Sequence, residues 1–427
     1  MLTEKYDFRI TDQMTIPLRP HWIANDSYRE KCKMLVLNRS KGEIHKVDFS
    51  KLTDYIKEGD VICFNDSTII NHMFICKTRQ NRLIKIVLEG FLPNNRVIIS
   101  GLLKERLNAN DVFYLVDNPE ISIKIEQRFS EESQYRAVVE NHEALICYLA
   151  SHGERLDEYV DSSLFYKYPD AYRSVFSKKY GSLEIPSAGI HFTWDLIQRI
   201  KDKGGLISFI TLHVASTEML SNRKIQTKCV EEVTINEEYY EVPQATADII
   251  NTAKQNGGRI FAVGTTVTRC LESAYSREHN CLKASSGWTA LYIHPGYQLK
   301  VVDCLLTNLH QPKTTHMVLT GQFAGVDLLY LFKKKELTPS TDLDSDLRLE
   351  DDEALAFNVD RGNFSITTYY PPEPPLKHLL NPFRKNDIPQ VPDFTIGMLI
   401  ASARAGRWLY TDSRWGAAFR LPLLWCA

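Results

Sequence analysis

The sequence predicts an α/β protein whose main domain is interrupted by a small antiparallel sheet or barrel and followed by a tail of different texture. Three observations carry this expectation. Between 185 and 324, compact apolar strands alternate with amphipathic helices, the pattern of a parallel or mixed sheet. Between 73 and 140, short segments of alternating polarity are separated by Asn, Pro, Gly and Asp. From about 332 the chain becomes charged and poor in aromatics (KKKELTPSTDLDSDLRLEDDE), the composition of a linker that cannot bury a core.

The stretch 185–214, IPSAGIHFTWDLIQRIKDKGGLISFITLHV, organises the rest. Pro186, Ser187 and Gly189 make an irregular approach. Phe192, Leu196, Ile197 and Ile200 recur at helical spacing, so one face of a helix over 193–203 is buried. Gly204 and Gly205 stop that helix, because glycine accepts a left-handed cap. The β-branched and aromatic run 206–214 then suits a buried strand. His191 stands where the helix begins, and Thr211 and His213 stand where the strand ends. Open α/β sheets keep their ligands at such strand ends.

In chain order, 34–37 reads as a strand, about 49–57 as a helix and 61–64 as a compact strand ending at Asn65, Asp66 and Ser67, a strand-end turn or a functional loop. Six short strands follow at 74–78, 84–88, 96–101, 112–115, 121–125 and 135–139. Lys77, Arg79, Arg82 and Lys85 gather on the first hairpin, read as a solvated face with a phosphate contact as the alternative. Residues 141–184 read as helical and polar, and 215–245 as acidic and irregular. A helix over 246–256 ends at Gly257 and Gly258. A second buried strand, 259–264, opens through Thr265 and Thr266 into a helix over 267–275. That leaves N–H groups and hydroxyls at a helix start, where an anion or ribose can sit, although a plain helix cap uses the same residues. Strands at 291–293 and 301–306 and a helix over 316–323 complete the pattern. Strands 206–214, 259–264 and 301–306 all end in hydroxyls, amides or His, so a parallel sheet gathers those groups along one edge.

Composition excludes several classes. The chain has 427 residues, 44% hydrophobic and 24% charged, which is ordinary for a globular protein. Its formal net charge of −2 gives no global sign of nucleic-acid binding, so any such site is a local patch. Nine scattered Cys without CxxC pairs point to a reducing compartment. No metal-ligand spacing is present, so no metal is expected. The polar N-terminal stretch is unlike a signal peptide and no apolar run approaches membrane-spanning length, so a cytoplasmic location is expected.

Four blocks resemble one known family: GDVICFNDS at 59–67; PSAGIHF at 186–192 with TLHV at 211–214; RIFAVGTTVTRCLE at 259–272; and GYQLKVVDCLLTNLHQPKTTHMVLTGQFAG at 296–325. Their order and spacing are similar to the S-adenosylmethionine:tRNA ribosyltransferase-isomerases of queuosine biosynthesis, over about 18–330. The resemblance implies an α/β catalytic domain from 1–70 and 145–330, a β-barrel domain inserted at 71–144, and a linker and tail of unassigned fold at 331–427. It implies transfer and isomerisation of the ribosyl part of S-adenosylmethionine onto a 7-aminomethyl-7-deazaguanine base in the anticodon of tRNA, releasing adenine and methionine. S-adenosylmethionine then serves as ribosyl donor, and tRNA is the partner. On those motif positions His191, His213 and His310 are candidate proton carriers, since imidazole titrates near neutral pH. Asp66 is a candidate to meet the sulfonium or a ribose. Ser187, Gly189, Thr211, Gly264, Thr265, Thr266, Asn308 and Thr314 are candidates to line the donor site.

The chain also departs from the family pattern. Ala215, Ser216, Thr217, Glu218 and Met219 replace a Gly-rich segment, and Val233 and Asn236 replace two histidines, while Glu238 and Tyr239 remain. HGERLDEYV at 152–160 stands in place of a Pro-rich segment, and the closing Y-G-D-A-M motif is not found after Gly325. These departures keep two alternatives open: a diverged transferase that uses S-adenosylmethionine on a non-tRNA acceptor, and a non-catalytic tRNA- or nucleotide-binding paralogue.

Overall fold

The computed structural model describes residues 29–30, 33–38, 43–101, 107–128, 134–154, 169–216, 233–308, 315–324, 365–369, 410–411 and 418–419. Strands β1 (Lys33–Asn38) and β2 (Glu43–Asp48) form a hairpin, and β3 (Val61–Asn65) enters the main sheet. β4 (Ser67–Ile69) follows after a single residue. β5 (Met73–Thr78), β6 (Leu83–Leu92), β7 (Arg96–Gly101), β8 (Val112–Leu115), β9 (Ser122–Arg128) and β10 (Gln134–Val139) close into a barrel with the order β10-β7-β6-β5-β8-β9. Every pairing in it is antiparallel. Alternate residues, among them Cys76, Ile86, Leu88, Ile99, Leu115 and Ile123, fill its interior, which is why period-two patterning was legible there.

Helix α1 (His142–Ser151) leaves the barrel, capped by Asn141, whose side chain accepts from the Ala144 amide. β11 (Lys179–Ser182) returns parallel to β4. Then come α2 (Trp194–Asp202), β12 (Leu206–Leu212), β13 (Glu238–Val242), α3 (Gln244–Gln255), β14 (Ile260–Val263) and α4 (Thr265–Ser273). A small hairpin of β15 (Tyr275–Ser276) and β16 (Cys281–Leu282) precedes β17 (Ser285–Thr289), β18 (Cys304–Thr307), α5 (Thr315–Ala324) and β19 (Ser365–Tyr369). The main sheet runs β17-β13-β12-β3-β14-β18-β19-β1-β2. β12, β3, β14 and β18 are mutually parallel, so their carboxyl ends share one edge.

Both faces of this parallel core are covered, which explains its unbroken apolar strands. Val61 and Cys63 of β3 face Ile250 and Ala253 of α3 and Val267 and Leu271 of α4. Ile62 and Phe64 face Leu196, Ile197 and Ile200 of α2 and Phe192. Phe64 meets the Phe192 ring edge-on at 4.7 Å. α2 follows its sequence signals closely: Thr193 Oγ1 accepts from the Leu196 amide at 3.0 Å, and Gly204 at φ +82° ends it.

The amino ends of the strands are tied by charge. Arg259 donates to both Asp60 carboxylate oxygens, from Nε at 3.2 Å and Nη2 at 2.5 Å, and stacks over Phe261. Asp60 also accepts from the Arg259 amide, and Asp303 accepts from the Ile260 amide at 3.0 Å. The buried pair therefore sets where β3 and β14 begin.

Several sequence expectations are corrected. The helix expected over 49–57 is the 3-10 helix Phe49–Tyr55, whose buried Phe49 and Leu52 use the three-residue spacing that a 3-10 helix aligns. The segment 171–179 is not a helix. It runs from the end of the 3-10 helix Pro169–Tyr172 to the start of β11, and Arg29 ties its beginning to the turn that follows by donating to the carbonyls of Asp170, Arg173 and Ile190 at 2.9–3.0 Å. The turn expected after β3 is one residue long before β4 begins. The region read as irregular contains β13, paired to β17 along its length and to β12 at one end. The strand expected at 291–293 is instead loop, since Arg269 Nε takes the Leu291 carbonyl at 2.9 Å; the strand of this region is β17. The tail contributes β19, which lies between β18 and β1. The linker at 332–352 and Trp408, Trp415 and Trp425 lie outside the described residues.

Replacing Arg259 with Met leaves Asp60 buried and uncompensated. Urea unfolding should then report a loss of about 3–5 kcal/mol, and adding Asp60→Asn should recover part of it.

Candidate active site

Asn65 closes β3 and anchors the edge where the carboxyl ends meet. It is 3% exposed. Its Oδ1 accepts from the amides of Leu212 at 3.0 Å and Ser67 at 3.1 Å. Its Nδ2 donates to the Leu212 carbonyl at 2.9 Å and to Thr266 Oγ1 at 3.5 Å. The carboxamide therefore joins β3, β12 and the start of α4. Sequence reasoning read Asn65 as part of a strand-end turn or a functional loop; its signal was a polar side chain directly ending the four-residue apolar run 61–64.

Asp66 faces the space beside that anchor. Thr211 Oγ1 donates to Asp66 Oδ1 at 2.7 Å, and the Asp66 carbonyl accepts from the amides of Lys178 and Lys179. Burial raises the Asp66 carboxyl above its ordinary range, against the hydrogen bond from Thr211 and the charge of Lys179. Lys179 is itself paired with Glu241 at 2.7 Å.

His213 follows β12. Its Nδ1 lies 2.8 Å from Ser67 Oγ, which is 2.7 Å from Ser182 Oγ. One ring face stacks on Tyr239 at 5.6 Å and 24°. The other lies on Gly181, where an added Cβ would stand 2.7 Å from three ring atoms. Burial and then Lys179 lower the His213 pKa to about 4, so the ring is neutral at physiological pH. Ser67, Ser182, Gly181 and Tyr239 were not singled out as site residues from sequence, because each is ordinary until the fold stacks it against His213.

The 3-10 turn Ser187–His191 closes the other side. Ala188 lies against Gly264, and the Gly264 amide donates to the Leu306 carbonyl at 2.6 Å. Gly264 adopts φ +99° at the start of α4, a conformation reserved for glycine. Gly189 is required for space: a Cβ there would come within 2.9 Å of Phe176. Thr265 and Thr266 are 5% and 8% exposed, and Ser187 is partly exposed. His191 is fully buried against Phe49, and its Nε2 lies 3.0 Å from Asn308 Oδ1. Burial lowers its pKa to about 4.

The structure thus brings Asp66, Ser187, Gly189, His191, Thr211, His213, Gly264, Thr265, Thr266 and Asn308 to adjoining strand ends and the turn against them. His310 and Thr314 lie outside the described residues, as do 217–219. Glu238, retained from the family pattern, is a structural anchor: it is ion-paired with Arg269 and accepts from the Ala215 amide at 2.9 Å. Val233 is buried at 5% exposure. Among the described residues, no group of three or more His, Cys, Asp or Glu could hold a metal, and no helix is long and apolar enough to cross a membrane.

A doubly covered parallel sheet with polar groups concentrated at its carboxyl ends, and a barrel inserted between two of its strands, defines an α/β protein with its candidate site at those strand ends. A family model described as queuosine biosynthesis protein matches residues 3–335. A second, for a protein of unknown function (DUF1493), matches residues 315–411. An S-adenosylmethionine:tRNA ribosyltransferase-isomerase of Natranaerobius thermophilus is 32% identical over 341 residues, covering 77% of this chain and 93% of that protein. Proteins of the same name from Staphylococcus epidermidis and Finegoldia magna are each 32% identical, covering 70% and 78% of this chain and 85% and 94% of theirs. A solved S-adenosylmethionine tRNA ribosyltransferase from Thermotoga maritima aligns with a TM-score of 0.39 and 21% identity, over 82% of this chain and 99% of that one. The chain belongs to the queuosine biosynthesis protein family and is an enzyme of its transferase-isomerase kind.

Asp66 offers a test that separates function from stability. A carboxyl whose folded pKa is raised stabilises the fold only when protonated, and that contribution is lost as pH rises through the folded value. At pH 7 the ionised group is a cost. Asp66→Asn keeps an acceptor for Thr211, so its melting temperature should equal or exceed that of the parent at pH 7. The difference should vanish below the ordinary carboxylate range.

Proposed function

We propose that this enzyme transfers and isomerises the ribosyl moiety of S-adenosylmethionine onto a 7-aminomethyl-7-deazaguanine base in the anticodon of a tRNA, with release of adenine and methionine. The observation that carries the reading is the convergence of Asp66, Thr211, His213, Gly264, Thr266 and Asn308 at neighbouring strand ends in a member of this family. The barrel, taken as a domain inserted at 71–144 between the catalytic pieces 1–70 and 145–330, stands beside that edge.

The chemistry asks for three things. The sulfonium acidifies the adjoining ribose carbon, so a modest base suffices to begin. The departing adenine needs a hydrogen bond. The flipped base of the tRNA needs a pocket. Asp66 is the anionic group suited to the sulfonium or a ribose hydroxyl. The Gly264 turn, with Thr265 and Thr266, offers a narrow backbone approach and hydroxyls suited to a ribose. Ser187, Gly189 and Asn308 would line the remainder, with His191 holding the Asn308 amide from behind. Proton handling falls to the neutral imidazole of His213 and to His310, which lies outside the described residues.

One observation favours a second reading. Val233 is buried and apolar, and Asn236 does not titrate, where the family pattern carries histidines. Substitutions of that kind fit an enzyme that retains the donor site but modifies a non-tRNA acceptor.

Mixing the protein with S-adenosylmethionine and precursor tRNA should release adenine and methionine. Release only with a small-molecule acceptor would select the second reading, and binding without release under any acceptor would overturn both. His213→Ala should lower turnover at least tenfold, measured at a temperature where the variant remains fully folded. A large loss of thermal stability with unchanged turnover would make His213 a packing residue.

A further inference from the structure

A chain of hydrogen-bonding groups lies behind His213. The Val214 amide donates to Ser182 Oγ at 3.0 Å. Ser182 Oγ and Ser67 Oγ are 2.7 Å apart, and Ser67 Oγ is 2.8 Å from His213 Nδ1. Both serines are completely buried. Each hydroxyl has one proton to give. If Ser182 gives its proton to Ser67, then Ser67 gives its own to Nδ1, and every proton in the chain has an acceptor. In the opposite sense, Nδ1–H donates to Ser67 and Ser67 donates to Ser182. The Ser182 proton is then left without an acceptor among the described residues, deep in the fold, where an unmade hydrogen bond is costly. The fixed donor at the head of the chain, a backbone amide, cannot reverse.

The ring is also clamped against turning. It lies flat on Gly181, at φ +152°, with Tyr239 on its other face. No larger residue fits at 181 without displacing the imidazole, so the plane of the ring is fixed beside Ser67.

We propose that Ser182 and Ser67 are positioning residues that hold His213 as its Nε2–H tautomer, so that the ring offers a hydrogen bond to an acceptor atom of the bound substrate. The role toward substrate rests on the reading of the site given above; the tautomer does not. A neutral imidazole locked this way is a donor, suited to a ring nitrogen or oxygen that gains electron density as a bond breaks. It is not the group that removes a proton through Nε2, which leaves proton abstraction to another residue.

Nuclear magnetic resonance of the full chain labelled with 15N-histidine reads the tautomer directly. The His213 signals are identified by their loss in His213→Gln. At pH 7, Nε2 should carry the proton and Nδ1 should resonate as an unprotonated, hydrogen-bonded nitrogen. Ser67→Ala should shift the ring toward a mixture of tautomers, and Ser67→Thr should restore the parent pattern. In the adenine-release assay, Ser67→Ala should lower kcat about tenfold with KM within twofold. A proton on Nδ1 in the parent protein overturns the proposal, as does a tautomer indifferent to Ser67→Ala. An Nε2–H ring in a protein that releases no adenine with tRNA leaves the tautomer standing and refutes the functional reading instead.

Discussion

The carboxamide of Asn65 is the constraint on which the functional edge depends. It spends both lone pairs and both protons inside the protein, on Leu212, Ser67 and Thr266. No other uncharged side chain of that length has two donors and two acceptors in one plane. Because the amide is saturated, β3 and β12 end at a fixed relative height. The residues just beyond them, Asp66 and His213, inherit that height. Thr266 ties the start of α4 to the same point, so four pieces of chain are located by one group.

The two ends of the sheet are built on opposite principles. At the amino ends, Asp60, Arg259 and Asp303 are paired and satisfied. At the carboxyl ends, burial raises the Asp66 carboxyl and lowers both His191 and His213. Groups kept away from their preferred ionisation state destabilise a fold, and they concentrate where reactivity is useful. The barrel contributes to this edge as well as flanking it. The Ser216 amide donates to the Glu89 carbonyl at 2.9 Å, and Ala215 lies against Gly90. Ala215 and Ser216, the described part of the segment that departs from the family's glycine-rich pattern, therefore lie at the seam between barrel and sheet.

Much of the fold was legible because local signals and tertiary demands agree. Most barrel strands alternate buried and exposed positions, and Thr193 and Gly204 bound α2 where its apolar spacing begins and ends. The parallel strands read as unbroken apolar runs because both faces are covered. Legibility failed where a distant side chain decides the outcome. Residues 171–179 read as helical, yet Arg29 takes the Arg173 carbonyl and β11 begins at Lys179. β13 reads as acidic loop because nothing local shows that Arg269 neutralises Glu238. The site was half visible. Asp66, Thr211, His213, Gly264 and Asn308 stand at strand ends and could be picked out. Ser67, Ser182 and Gly181 could not, since their meaning lies in a hydrogen-bond chain that joins residues more than a hundred positions apart.

The barrel also bears on how such a chain assembles itself. The parallel contact of β3 with β12 joins Val61 to Leu206, and almost everything between must be gathered before it can form. Barrel pairings, by contrast, all lie within 73–139 and close early at small entropic expense. A finished barrel shortens the loop that the central pairing has to close. The strand-end edge is complete only once β3 and β12, separated by the whole barrel, are paired.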